Sequence, residues 1–435
     1  MQHGSHPVNI SFIPSPDVAL VIHTLLDILE RRAQQDARSP AQVTQRKPRS
    51  VKLSFAELSL PAYFSQTDPT PRLSANEQFI LLEKADLIRL TWIPGETGHL
   101  LQSIALATPF AGDAEYVGAE SVARLYSLLS RTPLSTSRFR LETLLLGEKF
   151  RFPETDWRQL AIRFILRQLK AERSPTPFSL TDSGLSLDLL SVLAALSTLN
   201  TETPYRVFSV RVFNDSKRLE AIKNQLVSLA RLGNPEWKRL SAEEVLRELN
   251  LVPNPNYIHL SGNWQLGLEG GEILSIGGFF PSVGFPAAQT VNLRSVTIHA
   301  DAILCIENLT TFHEFIRVQT GRYAVLCTYG NPSPAVRRLL RLVPDETPIF
   351  HWSDLDYGGF NILSQLRRLV RERIEPYSMD AATLDANFER SRPLTAADRS
   401  NLKKLLIRPE LHDVRREIEY LLKRGLKLEQ EGVEI

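Results

Sequence analysis

The alternation of apolar and polar positions is most legible in the last 140 residues. AILCI (302–306), YAVLC (323–327) and TPIFHW (347–352) are apolar runs too short for helices, and TFHEFIRVQ and SPAVRRLLRLV between them carry apolar residues at helical spacing. A strand covered on both faces reads as an unbroken apolar run. This alternation therefore predicts a parallel sheet with crossover helices.

Upstream the pattern is mostly helical. Ser15 as cap, Pro16 in the first turn and Val18, Val21, Ile22, Leu25, Leu26 and Leu29 at helical spacing predict a helix that gives way to the polar linker RRAQQDARSPAQVTQRKPRS (31–50). FAELSLPAYFSQ (55–66) and SANEQFILLEKADLI (74–88) read as two helices, followed by LIRLTW and HLLQSIALA as strands around the turn IPGETG. Helices followed by a two-stranded ribbon are the order of a winged helix, with Arg89 and the Pro94 to Gly98 turn as a wing on DNA. A helical protein-docking domain that ends in a hairpin has the same order, and both readings stay open. From about 115 to 200 helices dominate, broken at ERSPTPFSLTDSG. RVFSVRVF (206–213) reads as a strand, NDSKRLEAIKNQLVSLARL (214–232) as a helix capped by Asp215 or Ser216, and short strands and turns fill 250–295.

A length of 435 residues exceeds one small core and predicts two to four domains. The 51 basic and 49 acidic residues leave a net charge of +2, so any DNA-binding surface must be local. Cys305 and Cys327 each sit in an aliphatic run, as expected of reduced core thiols. The longest apolar run, LSLDLLSVLAALSTL (185–199), is too short and polar to span a bilayer, and no charged-then-apolar leader opens the chain; a cytoplasmic protein with no membrane partner is expected. The histidines of the opening MQHGSH are given no metal role.

Three acids change this picture. Glu307 directly follows the first apolar run of the C-terminal part, and Asp354 and Asp356 follow the third. In an open parallel sheet the functional crevice lies beyond the carboxyl ends of the strands, so all three are expected on one edge. In extended chain the two aspartates share a face while Leu355 turns into the core, and Gly358 and Gly359 let the backbone turn into a helix beginning near Phe360. Crowded carboxylates repel one another, and ENLTT and SDLDYGG hold no Lys or Arg to neutralise them. A divalent cation resolves the conflict, and an all-oxygen set suits Mg²⁺ or Mn²⁺. The bland alternative is that the aspartates cap the next helix and Glu307 is a solvated strand end.

Glu307, Gly330 with Pro332, and Asp354, Asp356 and Gly359 resemble the Toprim motifs of topoisomerases, primases and related nucleases. YGNPSPAVRRLL looks most like the A subunit of topoisomerase VI. Taken together, VRVFNDSKRLE, CIENLTTFHE, HWSDLDYGG and KLEQE resemble the nuclease-subunit family of Wadjet systems, JetD or MksG, over about residues 155–435. The resemblance implies an α/β multidomain protein with an N-terminal helical or winged-helix-like arm (1–150), a central catabolite-activator-like DNA-binding domain (151–295) and a C-terminal Toprim domain with a helical tail (296–435). It further implies a Mg²⁺- or Mn²⁺-dependent DNA endonuclease that uses Glu307, Asp354 and Asp356. Its expected partners are circular plasmid DNA, a condensin-like SMC complex (JetABC or MksBEF) and a second copy of the chain.

The related topoisomerases cut with a tyrosine where SKRLEAI falls here, and no tyrosine lies between Tyr205 and Tyr257. Hydrolysis by activated water is therefore expected, with Tyr205 read as an ordinary aromatic; a topoisomerase-like transesterase and a non-catalytic DNA-binding adaptor are the competing readings. Lys217 and Arg218 open an amphipathic helix, either as phosphate contacts or as a solvated face. His351, inside an apolar strand, is expected in the core, and His313 on a helix is expected at most to orient Glu307. The mixed charges of 413–431 read as a salt-bridged helix surface.

Overall fold

The computed structural model describes residues 12–38, 51–107 and 119–433. The opening histidines and linker residues 39–50 lie outside the described residues. The chain has a mixed α/β fold with several sheets and divides into two compact units, 1–186 and 187–435. No helix among the described residues is long and apolar enough to cross a membrane.

In the first unit the Pro16–Arg38 helix buries Val18, Val21, Ile22, Leu25 and Leu26, as its spacing requires, and it continues through RRAQQDAR, which was expected to begin the linker. The segment FAELSLPAYFSQ is not the expected helix. Only the single turn Phe55–Glu57 forms, because Pro61 removes a backbone donor, while Phe55, Leu60 and Tyr63 insert into the core as anchors. The Thr70–Lys84 helix and the ribbon Ile88–Trp92 with Leu101–Leu106 follow the sequence pattern, and Lys52–Ser54 pairs with the ribbon as a third antiparallel strand.

In the second unit RVFSVRVF is corrected from strand to helix (Tyr205–Phe213). Its buried positions, Tyr205, Phe208 and Ser209, recur at i, i+3 and i+4, and Asn214 closes it in the left-handed conformation at φ 56°. The next helix, Arg218–Gly233, has Lys217 rather than Asp215 or Ser216 at its N-cap; Asp215 instead accepts the Lys217 amide at 2.8 Å and tightens the preceding turn.

A six-stranded sheet organises this unit, in the order Glu375–Pro376, Ile349–Trp352, Ala302–Ile306, Tyr323–Cys327, Tyr257–Ser261, Val283–Pro286. The first four strands are parallel, and Tyr257–Ser261 pairs antiparallel with both Tyr323–Cys327 and Val283–Pro286. Ala302–Ile306 is buried at every position, as a central strand with both faces covered must be. Its register sets Ile306 opposite both Trp352 and Cys327, so three neighbouring strands end flush. That flush edge aligns the residues that follow. Phe312, Phe315 and Trp352 pack below it on one face; the Pro334–Arg341 helix covers the other through Val336, Leu339 and Leu340.

Candidate active site

Glu307 is held by its backbone: its N–H donates to Trp352 O at 3.0 Å and its carbonyl accepts from Gly330 N at 3.3 Å. Directly after it, Asn308 caps the Leu309–Val318 helix by accepting from Thr310 N at 2.7 Å. Glu307 is therefore the last residue before a helix start. Gly330 takes φ +77°, a conformation that disfavours any side chain, and this turn returns the chain to the Glu307 carbonyl.

Three residues past the end of the neighbouring strand, Leu355 is buried and bridges antiparallel to Leu428, with Leu355 N donating to Leu428 O at 2.8 Å. Asp354 and Asp356 consequently point the other way, as the alternation predicted. Asp354 Oδ1 accepts from Gln430 N at 2.7 Å. Asp356 Oδ1 accepts from Gly359 N at 3.0 Å and caps the Tyr357–Leu369 helix, which starts three residues earlier than expected. The helix-capping role is thus real for Asp356, and it leaves Oδ2 free. Gly359 is not there for a turn: it is helical, and a Cβ would collide with Asp354 O and Ser353 Oγ, so the glycine permits the close approach that brings the two aspartates together.

Sequence reasoning treated KLEQE as a family signature and missed its structural part. Leu428 and Gln430 face inward while Glu429 and Glu431 face out, a period-two alternation that could have marked the tail as a strand-like flank of the acid edge. Buried Gln430 donates from Nε2 to Trp352 O at 2.8 Å and accepts from Asn308 N at 3.0 Å, fastening the ends of two strands to each other. Asn308 Nδ2 donates to Glu431 at 2.5 Å, and Glu429 pairs with Arg392 at 2.6 Å.

Burial, then Asp354 and Asp356, push the Glu307 carboxyl up to about 8, against the Asp354 amide that favours its charged form. Burial likewise raises Asp354 to about 6, opposed by the Gln430 amide and reinforced by Asp356, Glu431 and Glu429. Glu307 Oε2 is buried with no hydrogen-bond partner among the described residues. Those residues contain no preformed cage of three ligands. The hydrogen bonds from Gln430 and Gly359 engage only Oδ1 of each aspartate, and both aspartates raise the Glu307 carboxyl, a donor set that fits a hard cation taking one or two carboxylates and completing its shell with water and phosphate.

The remaining residues singled out from sequence are dispersed. Arg218 is bound to Asp188 through Nε at 2.6 Å, and Lys217 is exposed beside it. Arg89, in the first unit, pairs with Asp86 at 2.6 Å. His351 is fully buried, and burial pushes its imidazole down to about 3. His313 packs on Phe312 and His259. Tyr205 is buried, with burial raising its hydroxyl to about 12, and both cysteines are buried free thiols. A cation that sequence could not place is Arg239: it stacks 5.3 Å over the ring of Tyr357, the residue after Asp356, and donates to its hydroxyl.

Residues 281–435 match the family described as Wadjet protein JetD, C-terminal. The chain is 27% identical over 330 residues, 74% of its length and 76% of the relative's, to the Wadjet protein JetD of Bacillus cereus (strain Q1).

Proposed function

We propose that the chain, similar to Wadjet JetD proteins, is a metal-dependent DNA endonuclease acting in plasmid defence beside an SMC-type complex. The observation that supports the reading is the flush strand edge, beyond which Glu307, Asp354 and Asp356 follow, with Glu307 Oε2 buried and unpartnered among the described residues and its carboxyl raised by burial and both aspartates. Parallel strands followed by these acids support reading residues 296–435 as a Toprim domain. The first 150 residues are read as a winged-helix-like arm, and 151–295 as the catabolite-activator-like part.

Asp354 and Asp356 would hold Mg²⁺ or Mn²⁺ through the oxygens not used by Gln430 and Gly359. The cation, when bound, supplies charge stabilisation at the scissile phosphate and acidifies a water. Glu307, whose raised carboxyl would give up its proton once a cation offsets the neighbouring acids, would use Oε2 to accept the proton of the attacking water. The water oxygen bonds to phosphorus, one P–O ester bond breaks, and the leaving oxygen takes a proton from solvent water, so the ends are a phosphate and a hydroxyl. Hydrolysis is preferred to transesterification because Tyr205 is buried with its hydroxyl proton held tightly. A homodimer would place two such edges on opposite strands of a duplex.

The test is incubation of the purified protein with supercoiled plasmid, with Mn²⁺, Mg²⁺ or EDTA, alone and with its SMC partners. Asp354→Ala and Asp356→Ala should each lose roughly 100-fold or more of the cleavage rate, the loss of about 3 kcal/mol of transition-state stabilisation. If both variants cut at the wild-type rate, the reading fails.

A further inference from the structure

A cleft of about 260 Å³ lies between the turn Pro235–Arg239 and the helix Pro334–Arg341. Three arginines and two glutamates line it. Arg337 is fixed by Glu248 at 2.6 and 2.7 Å, and Glu236 is paired with Arg368. Arg341 donates from Nε to Leu369 O at 2.7 Å, a carbonyl that leaves its charge uncompensated. Arg338 lines the same cleft and forms no hydrogen bond or ion pair among the described residues. Burial and the neighbouring charges of Arg337 and Arg338 hold the Arg341 guanidinium below its usual range, the mark of cations crowded without an anion. The cleft is thus a positive pocket lacking its counter-charge.

Its position gives the anion an identity. The turn that lines the cleft through Glu236 and Trp237 ends at Arg239, which is stacked on Tyr357 immediately after Asp356. Residues 236 to 239 of a 3₁₀ turn span only about 6 Å. Arg239 is exposed, close to an edge crowded with carboxylates, and held by an aromatic hydroxyl instead of an acid. Its charge remains available to a phosphate.

We propose that this cleft seats the sugar–phosphate backbone of the DNA strand, with Arg338 and Arg341 on one phosphate and Arg239 on another closer to Asp356. The proposal rests on the nuclease reading for its substrate class. Arg239, Arg338 and Arg341 are positioning residues that fix where the strand passes the acids.

The experiment is equilibrium binding of a labelled duplex to the full chain in EDTA, followed by anisotropy over a salt series, so that binding is read without cleavage. Arg338→Glu should weaken binding at least about 10-fold and reduce the slope of log K against log salt by about one. Arg338→Lys should restore both, and Arg239→Gln should weaken binding in the same sense. Arg415→Glu, an exposed change of equal charge on another helix, should alter affinity less than about threefold. Arg338→Gln serves if the glutamate variant does not fold. The proposal is overturned if Arg338 and Arg239 variants bind as wild type with the same slope, if Arg415→Glu weakens binding equally, or if the wild-type chain does not bind the duplex. It is also overturned if Arg338 governs binding of inorganic phosphate or ATP but not of DNA. Arg338-dependent binding by a chain that never cuts would sink the nuclease reading alone; cleavage with binding indifferent to Arg338 and Arg239 would sink this proposal alone.

Discussion

Replacing Glu307 by glutamine should stabilise the metal-free protein, increasingly so as pH rises. In the fold, burial and then Asp354 and Asp356 raise this carboxyl from 4.5 to about 8. Between those values the folded chain keeps a proton that the unfolded chain has released. Stability tied to this group is therefore fully present below the unfolded value and is lost as pH climbs through the folded one. At about 1.4 kcal/mol per pH unit, the loss amounts to on the order of 4 kcal/mol by pH 8. Part of that shift is coupled to Asp354, so an advantage of about 2 to 4 kcal/mol is expected for Glu307→Gln at pH 8.5, and little at pH 5. Hydrogen exchange of peptides covering 302–307 and 349–356, in EDTA and corrected for intrinsic rates, confines the readout to the second unit. Adding Mg²⁺ at pH 8.5 should protect the wild type and narrow the gap. A gap equal at both pH values, or a wild type better protected at pH 8.5, would refute the argument that burial and the neighbouring aspartates destabilise the ionised Glu307.

Gly359→Ala should cost about 2 to 4 kcal/mol and reduce metal affinity together with stability, because its Cβ would displace the Asp354 carbonyl; thermal melts and calorimetric Mn²⁺ titration check both. Gln430→Ala strips two buried hydrogen bonds from Trp352 O and Asn308 N, and exchange at 426–433 should rise with a loss of about 2 to 3 kcal/mol, while Gln430→Glu should not restore it. The buried pair Arg337 and Glu248 should show coupling of about 1 to 3 kcal/mol in a double-mutant cycle read by chemical denaturation, and additive single changes would contradict it. Tyr205→Phe should leave plasmid cleavage intact, and detergent-denatured reactions should contain no DNA end bound to protein; an end attached to any residue would restore transesterification.

The chain's local pattern was enough to locate the apolar strands of the C-terminal sheet, because a strand with both faces covered carries its burial in every position, as Ala302–Ile306 does. It also placed Glu307 and the two aspartates beyond those strands and turned Leu355 inward, since strand geometry repeats every two residues. Local pattern misled where burial, not propensity, decides the backbone. RVFSVRVF is rich in β-branched and aromatic residues, yet its inward positions follow the helical period, and FAELSLPAYFSQ gives its apolar side chains to the core as single anchors. Only the tertiary structure could set the register that ends three strands flush, seat Gln430 between strand ends 122 and 78 residues away in sequence, or bring Arg239 onto Tyr357 across 118 residues. Those contacts join segments whose separate sequences carry no signal of one another; they arise when the sheet closes and the groups left at its edge must find hydrogen bonds and counter-charges in whatever the fold has placed beside them.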